Sequence, residues 1–246
     1  MRYLFADFYN VYTLVLYIFK KESNNIKMLS ILYYTLAFSF SDFLLTKFNV
    51  KGPYYLNHIV NNVVVVYECL PIVLSCYTDF ISSLQTELPM NCIYMTIALH
   101  LYHIIWYFNS LRFDDWLHHV IMIGFIMPVI CIYNIGGSII GHGMFYITGL
   151  PGGIDYTLLL LNRNNLSISK LQEKYINSLL NLWIRCPGCI ITGVFVLLMT
   201  QLQETKTNLD IYIAFTVIAA LYWNGIYFMN DVLKNYYTMT LILAAL

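Results

Sequence analysis

Long apolar segments constrain the fold of this chain more than any other feature of its sequence. A helix of about 20 mostly apolar residues can cross a bilayer, because it satisfies its own backbone hydrogen bonds there. The sequence predicts eight such helices, near 3–19, 28–46, 56–78, 91–109, 116–135, 138–161, 176–201 and 210–230. Because the first segment is short and polar, we expect an all-α, polytopic membrane protein with seven or eight transmembrane helices.

The composition agrees with this class. Only 11% of the residues are charged, whereas a soluble domain has about 25%. The 13 basic and 13 acidic residues balance, and no basic patch or acidic tail indicates a nucleic-acid partner. We expect membrane lipids to be the partners of such a chain.

The domain organisation is expected to be simple. The connections between apolar segments are brief, and no linker, composition shift or internal repeat divides the chain. We predict an N-terminal membrane helix and loop over 1–27 and a single transmembrane domain over 28–233. An apolar C-terminal tail over 234–246 follows, and it is too short to span a bilayer alone.

Two aspartates and two histidines lie at the start of the fifth apolar segment, where ionisable side chains cost free energy unless they face protein or water. Asp114 precedes His118 by four residues, and Asp115 likewise precedes His119. On a helix, this spacing lets each aspartate hydrogen-bond one histidine and select its tautomer. We predict that these four residues are catalytic. The alternative is that the histidines are interfacial and cap the helix end.

Two more histidines lie on the preceding predicted helix. His100 and His103 are three residues apart and share a helix face. A short antiparallel connection over 110–115 places this helix beside the next, so we expect His103 to approach His118. A single zinc ion held by three histidines and a carboxylate is an alternative use of such residues. We assign no metal ligand, because the six histidines of the chain are fewer than a membrane site with two iron ions needs.

Polar residues interrupt other apolar segments as well. Asn57, His58 and Asn61 form a polar stripe at the start of the third segment, which either lines a cavity or lies at the lipid headgroups. His142 lies between two glycines, and glycines permit close helix approach. His58 and His142 are therefore candidates for binding a substrate rather than for catalysis.

A Pro-Gly sequence at residues 149–153 predicts a break in a membrane helix, because proline removes a backbone donor. Asp155 follows this break, and we expect it to pair with Arg185, an intramembrane charge that needs a partner. The alternative is a packing kink with Asp155 as a structural hydrogen-bond acceptor. Substrate-binding roles are thus predicted for His58, His100, His103, His142, Asp155 and Arg185.

The six cysteines lie mostly within apolar segments and are expected to be core residues. Cys186 and Cys189 have the CxxC spacing of thiol redox motifs. A Pro-Gly kink flanked by small residues explains the same pattern, and we favour that interpretation.

Four polar sites carry a family resemblance: Asn57-His58, Tyr102-His103, Asp115 with His118-His119, and Gly136-Gly137 leading to Asp155. Over 28–233 the chain resembles the TLC family (TRAM, Lag1 and CLN8 homologues), which includes ceramide synthases and smaller membrane-lipid regulators. The resemblance implies a helical barrel enclosing a lipid-accessible cavity, in the endoplasmic reticulum or another intracellular membrane. It also implies that His118 or His119 acts as base or transient acyl carrier, oriented by Asp114 or Asp115. Acyl-CoA would be a co-substrate, with no bound cofactor.

The functional expectation is an integral membrane protein of lipid metabolism or membrane lipid homeostasis, with acyl transfer to a lipid amine at the His118-His119 pair. Two alternatives stay open. One is a non-catalytic lipid-binding or transport-like bundle that uses residues 149–155. The other is a metal or thiol redox enzyme of the membrane.

Overall fold

The computed structural model describes residues 25–111, 113–127, 138–166, 168–203 and 207–245. Throughout these ranges the chain forms helices joined by short loops, and no residue in them adopts a β-strand. The predicted all-α class is therefore confirmed for this part of the chain. The predicted span near 3–19, most of segment 1–27, and Gly136-Gly137 lie outside the described residues.

The described helices follow the predicted apolar segments, except that the last helix continues to Ala244 and includes most of the predicted C-terminal tail over 234–246. In chain order they are α1 (Asn25–Lys47), α2 (Pro53–Thr78), α3 (Phe80–Ser83), α4 (Met90–Tyr107), α5 (Phe113–Ile121), α6 (Ile139–Met144), α7 (Leu150–Arg163), α8 (Lys170–Leu180), α9 (Cys186–Leu202) and α10 (Asn208–Ala244). A 3-10 turn lies at Phe108–Ser110, and π-helical turns lie at Met122–Ile126, Phe145–Gly149 and Asn181–Arg185.

Five helices in the described ranges are long and apolar enough to cross a membrane, as expected of an integral membrane protein. They are Met28–Lys47, Pro53–Thr78, Ile139–Arg163, Lys170–Leu202 and Asn208–Ala244. α4 and α5 are also helical where the sequence predicts spans. The total of seven or eight spans and the barrel arrangement stay predictions.

Proline does not break the helix at residues 149–153, contrary to the prediction. A π turn at Phe145–Gly149 leads directly into α7, and Pro151 lies in the first turn of α7. The wider π turn makes room for the proline ring, and a proline at this position needs no backbone donor. The second Pro-Gly pair behaves in the same way, with a π turn at Asn181–Arg185 before Pro187. The chain therefore remains helical through both sites.

Side-chain caps begin two of the later helices. The Ser169 side chain accepts from the backbone N–H of Gln172, whose side chain accepts in return from the Ser169 backbone, and α8 begins beyond this pair. Thr207 and Asp210 form the same reciprocal pair at the start of α10. Such capping boxes satisfy backbone donors that a helix start leaves unpaired.

The chain divides into two compact units. The first unit comprises Met1–Phe43 and Met90–Asn134, and it holds most of α1 together with α4 and α5. The second unit comprises Leu44–Pro89 and Ile135–Leu246, and it holds the other described helices. Its core joins α6, α9 and α10 through the buried residues Ile139, Val196, Met199, Ala214 and Leu221.

Helices α9 and α10 approach closely at the CxxC sequence. A Cβ atom at Gly225 would lie 3.0 Å from the Cβ of Cys189 and 3.3 Å from the Cα of Cys186. Both cysteines are buried free thiols. The CxxC pair therefore lies in a packed helix interface, which agrees with the packing interpretation rather than the redox one.

Candidate functional site

Four histidines come together in the first unit, and His100, His103, His118 and His119 are hereafter the four-histidine cluster. α4 carries the first two, one helical turn apart on one face. α5 carries the other two, and the 3-10 turn at Phe108–Ser110 joins the helices. The short connection thus brings two histidine pairs face to face, as the sequence predicts.

Ring nitrogens of the two helices meet at hydrogen-bond distance. The Nε2 atoms of His100 and His118 lie 3.3 Å apart, and Nδ1 of His103 lies 3.2 Å from Nε2 of His119. The predicted approach of His103 to His118 thus becomes two separate pairings. The physical reason is that His118 and His119, as neighbours on α5, point in different directions and reach successive turns of α4.

The cluster is compact as well as paired. The ring centroids of His100 and His119 are 5.1 Å apart, and those of His118 and His119 are 5.6 Å apart. One nitrogen from each of His100, His118 and His119 lies within 4.8 Å of the others, so these three residues could hold a metal ion.

One tautomer in the cluster follows from its surroundings. Nδ1 of His100 lies 2.8 Å from the backbone carbonyl oxygen of Thr96. Since a carbonyl oxygen only accepts hydrogen bonds, Nδ1 of His100 carries the proton. In the neutral ring, its Nε2 therefore presents a lone pair towards His118.

The predicted aspartate–histidine pairs are only partly described. The side chain of Asp114 lies outside the described residues. His119 faces His103 through Nε2, and its Nδ1 has no hydrogen-bond partner among the residues that the structure describes. The predicted hydrogen bond between Asp115 and His119 is therefore wrong, because His119 turns towards α4 and not back along α5.

A buried acid and two tyrosines anchor α4 beside the cluster. The hydroxyls of Tyr102 and Tyr107 both donate to Oδ2 of Asp42 on α1, the second at 2.6 Å. Asp42 is 8% exposed and Tyr102 is fully buried. None of the three is a predicted site residue, although an acid within an apolar segment is a signal of function.

His142 belongs to a buried network in the second unit. Its Nδ1 lies 2.8 Å from the Thr192 hydroxyl, and its Nε2 lies 3.3 Å from the Tyr77 hydroxyl. Thr192 donates its own proton to the Gly188 carbonyl, so it accepts from His142. Both ring nitrogens are thus engaged within the protein, and the predicted role of His142 in substrate binding stays a prediction.

The polar stripe on α2 packs inside the second unit. Asn62 accepts from the Thr148 hydroxyl at 2.7 Å and from the Asn61 side chain at 3.2 Å. His58 stacks on Tyr156, with ring centroids 4.0 Å apart. The three asparagines Asn57, Asn61 and Asn62 are buried within the protein, and both interpretations of the stripe stay predictions.

Asp155 and Arg185 do not form the predicted ion pair within the described part of the chain. The guanidinium of Arg185 donates through Nη1 to the Asn181 side chain at 3.4 Å and lies 4.7 Å from the Phe228 ring centroid. The two charges interact electrostatically at longer range. Among the described residues, Oδ1 of Asp155 and Nε of Arg185 have no hydrogen-bond partner, so both keep a polar atom for a ligand.

Comparisons with protein-family models, with curated proteins and with solved structures find no match to this chain. The resemblance to the TLC family therefore rests on the quoted residues alone.

Proposed function

We propose that this chain is an integral membrane protein of lipid metabolism that transfers an acyl group to a lipid amine at the four-histidine cluster. The observation that carries the proposal is the contact between four imidazoles on two neighbouring helices. A buried group of this kind costs free energy unless it has a function or full internal pairing.

The surface around the cluster supports a lipid substrate. Ile105 and Trp106 follow His103 on α4, and Phe113 begins α5, and all three side chains are exposed. Large exposed apolar side chains in membrane helices contact lipid. A lipid amine could therefore approach the cluster from the bilayer, with its chains against this surface.

The chemistry needs a group that accepts and returns a proton. In the proposed reaction the amine nitrogen bonds to the acyl carbon, the carbon–sulfur bond of the acyl-CoA thioester breaks, and the proton from the amine passes to the leaving thiolate. Imidazole is suited to both proton steps. Contact between His103 and His119 lets a proton pass between the two imidazoles. By resemblance to the TLC family, we propose that these steps take place within a helical barrel in an intracellular membrane.

Lipid mass spectrometry tests the proposal in cells that express the wild type and the His118→Ala/His119→Ala double variant. We expect the double variant to lose the lipid product by at least about 100-fold, as removal of a general acid–base group typically does. Val120→Ala is the matched control, since Val120 is an exposed neighbour of His119 on α5. An unchanged lipid profile in a double variant that accumulates normally would contradict the proposal.

Non-catalytic lipid binding is a second candidate, and the unpartnered atoms of Asp155 and Arg185 favour it. A polar lipid headgroup could satisfy both, since one atom accepts and the other donates. Native mass spectrometry of the purified chain should then show co-purifying lipid. We expect Arg185→Gln to reduce its occupancy several-fold, while Val194→Ala, on the exposed side of α9, leaves it intact. Equal occupancy in both variants would remove this candidate.

A further inference from the structure

We infer that His100, His118 and His119 bind a divalent transition-metal ion of the zinc type. The inference deepens the proposed function, on which its catalytic meaning rests, but the site itself is argued from geometry alone. Nitrogens of these three residues lie within 4.8 Å of one another.

The spacing of the nitrogens matches tetrahedral coordination. Zinc–nitrogen bonds of about 2.0–2.1 Å in a tetrahedron place ligand nitrogens about 3.3–3.4 Å apart. The Nε2 atoms of His100 and His118 are 3.3 Å apart, which is one edge of such a tetrahedron. Rotation of the His119 ring would close the remaining distance.

The surroundings of His100 match those of a metal-bound histidine. A ligating histidine usually donates its second N–H to a carbonyl, a carboxylate or water. Nδ1 of His100 donates to the Thr96 carbonyl oxygen, which leaves Nε2 for the metal. Nε2 of His119 lies 3.2 Å from Nδ1 of His103, which leaves its own Nδ1 for the metal.

Burial of His119 is an independent observation that points to a ligand. The residue is 4% exposed, and its Nδ1 has no hydrogen-bond partner within the described part of the chain. A buried polar atom without a partner is costly, and coordination to a metal would remove this cost.

The donor set defines the class of ion. Three imidazoles favour zinc, copper, nickel or iron, whereas magnesium and calcium prefer oxygen ligands. Three protein ligands also leave the fourth tetrahedral position open, as in catalytic zinc sites. A metal in that arrangement would polarise an acyl carbonyl.

Cobalt binding to the purified full-length chain in lipid nanodiscs tests the inference. After treatment with a chelator, we expect one Co²⁺ per chain and the intense visible absorption of tetrahedral Co²⁺. His118→Ala should weaken binding at least about tenfold, as loss of a ligand or its support does. His118→Cys should retain the ion and add a thiolate-to-cobalt charge-transfer band, which no merely structural role of His118 would produce. Val120→Ala should bind as the wild type does.

Absence of stoichiometric Co²⁺ from the wild type would overturn the inference, as would binding that both His118 variants leave unchanged without a new band. The wild-type titration decides even where a variant fails to fold. Failure here is distinct from failure of the proposed function. If the wild type binds no stoichiometric Co²⁺ but its membranes form the lipid product, the metal inference fails and the proposed function stands. If cobalt binds but the double variant leaves the lipid profile unchanged, the proposed function fails and the metal inference stands.

Discussion

Asp42 shows at the scale of a single residue how the cluster is held in place. Its carboxylate accepts from two tyrosine hydroxyls of α4, on the helix that also carries His100 and His103. Because Asp42 and Tyr102 are both buried, the contact fixes α4 against α1 in the first unit. The positions of His100 and His103 on α4 therefore depend on this contact.

Asp42→Ala is therefore expected to lower stability. It leaves two tyrosine hydroxyls without their acceptor, at a cost of about 1–3 kcal/mol for each buried group. Thermal unfolding of the purified chain, followed by circular dichroism in detergent, measures the effect. Asp42→Asn is the matched control, because its amide oxygen still accepts and its loss should be smaller. Identical unfolding temperatures for wild type and Asp42→Ala would contradict the assignment.

At the scale of the helix, the close crossing of α9 and α10 depends on a glycine, Gly225. A Cβ atom at Gly225 would lie 3.0 Å from Cys189 and 3.3 Å from the backbone of Cys186. Ordinary side-chain contacts are longer than these distances, so any larger residue must push the helices apart.

Gly225→Val is expected to destabilise the chain by about 1–3 kcal/mol through overpacking. Ala219→Val is the control, since Ala219 lies on the exposed side of α10 and gains two methyl groups there without a clash. The free energy of unfolding in a denaturing detergent titration compares the two. A loss of equal size in both variants would show that helix propensity, and not the crossing, is responsible.

At the scale of the whole molecule, the sequence predicts the helices well and their contacts less well. Apolar length defines a membrane helix almost independently of its neighbours, so α1 and α2 lie where the sequence places them, whereas α10 continues past the predicted end near 230 to Ala244. The short link after Tyr107 likewise predicts that the histidines of α4 and α5 meet.

Contacts that depend on the rotation of a helix about its axis could not be predicted from the sequence. The four-residue spacing on α5 allowed Asp115 to hydrogen-bond His119, but the imidazole ring of His119 faces His103 instead. The π turns were missed for a similar reason, since a Pro-Gly pair signals a disturbed helix without saying how it is accommodated. Arg185 contacts Asn181 one turn earlier and Phe228 on α10, rather than the more distant Asp155.

The length of α10 has a consequence for how the chain meets the bilayer. Its 37 residues make a rod of about 55 Å at 1.5 Å per residue, whereas the hydrocarbon layer is about 30 Å thick. No tilt of ordinary size absorbs that difference. The helix must therefore continue beyond the hydrocarbon, and the exposed charges Asp231 and Lys234 mark the stretch where it reaches the headgroups. The apolar turns after Lys234 then continue the same rod past the headgroups.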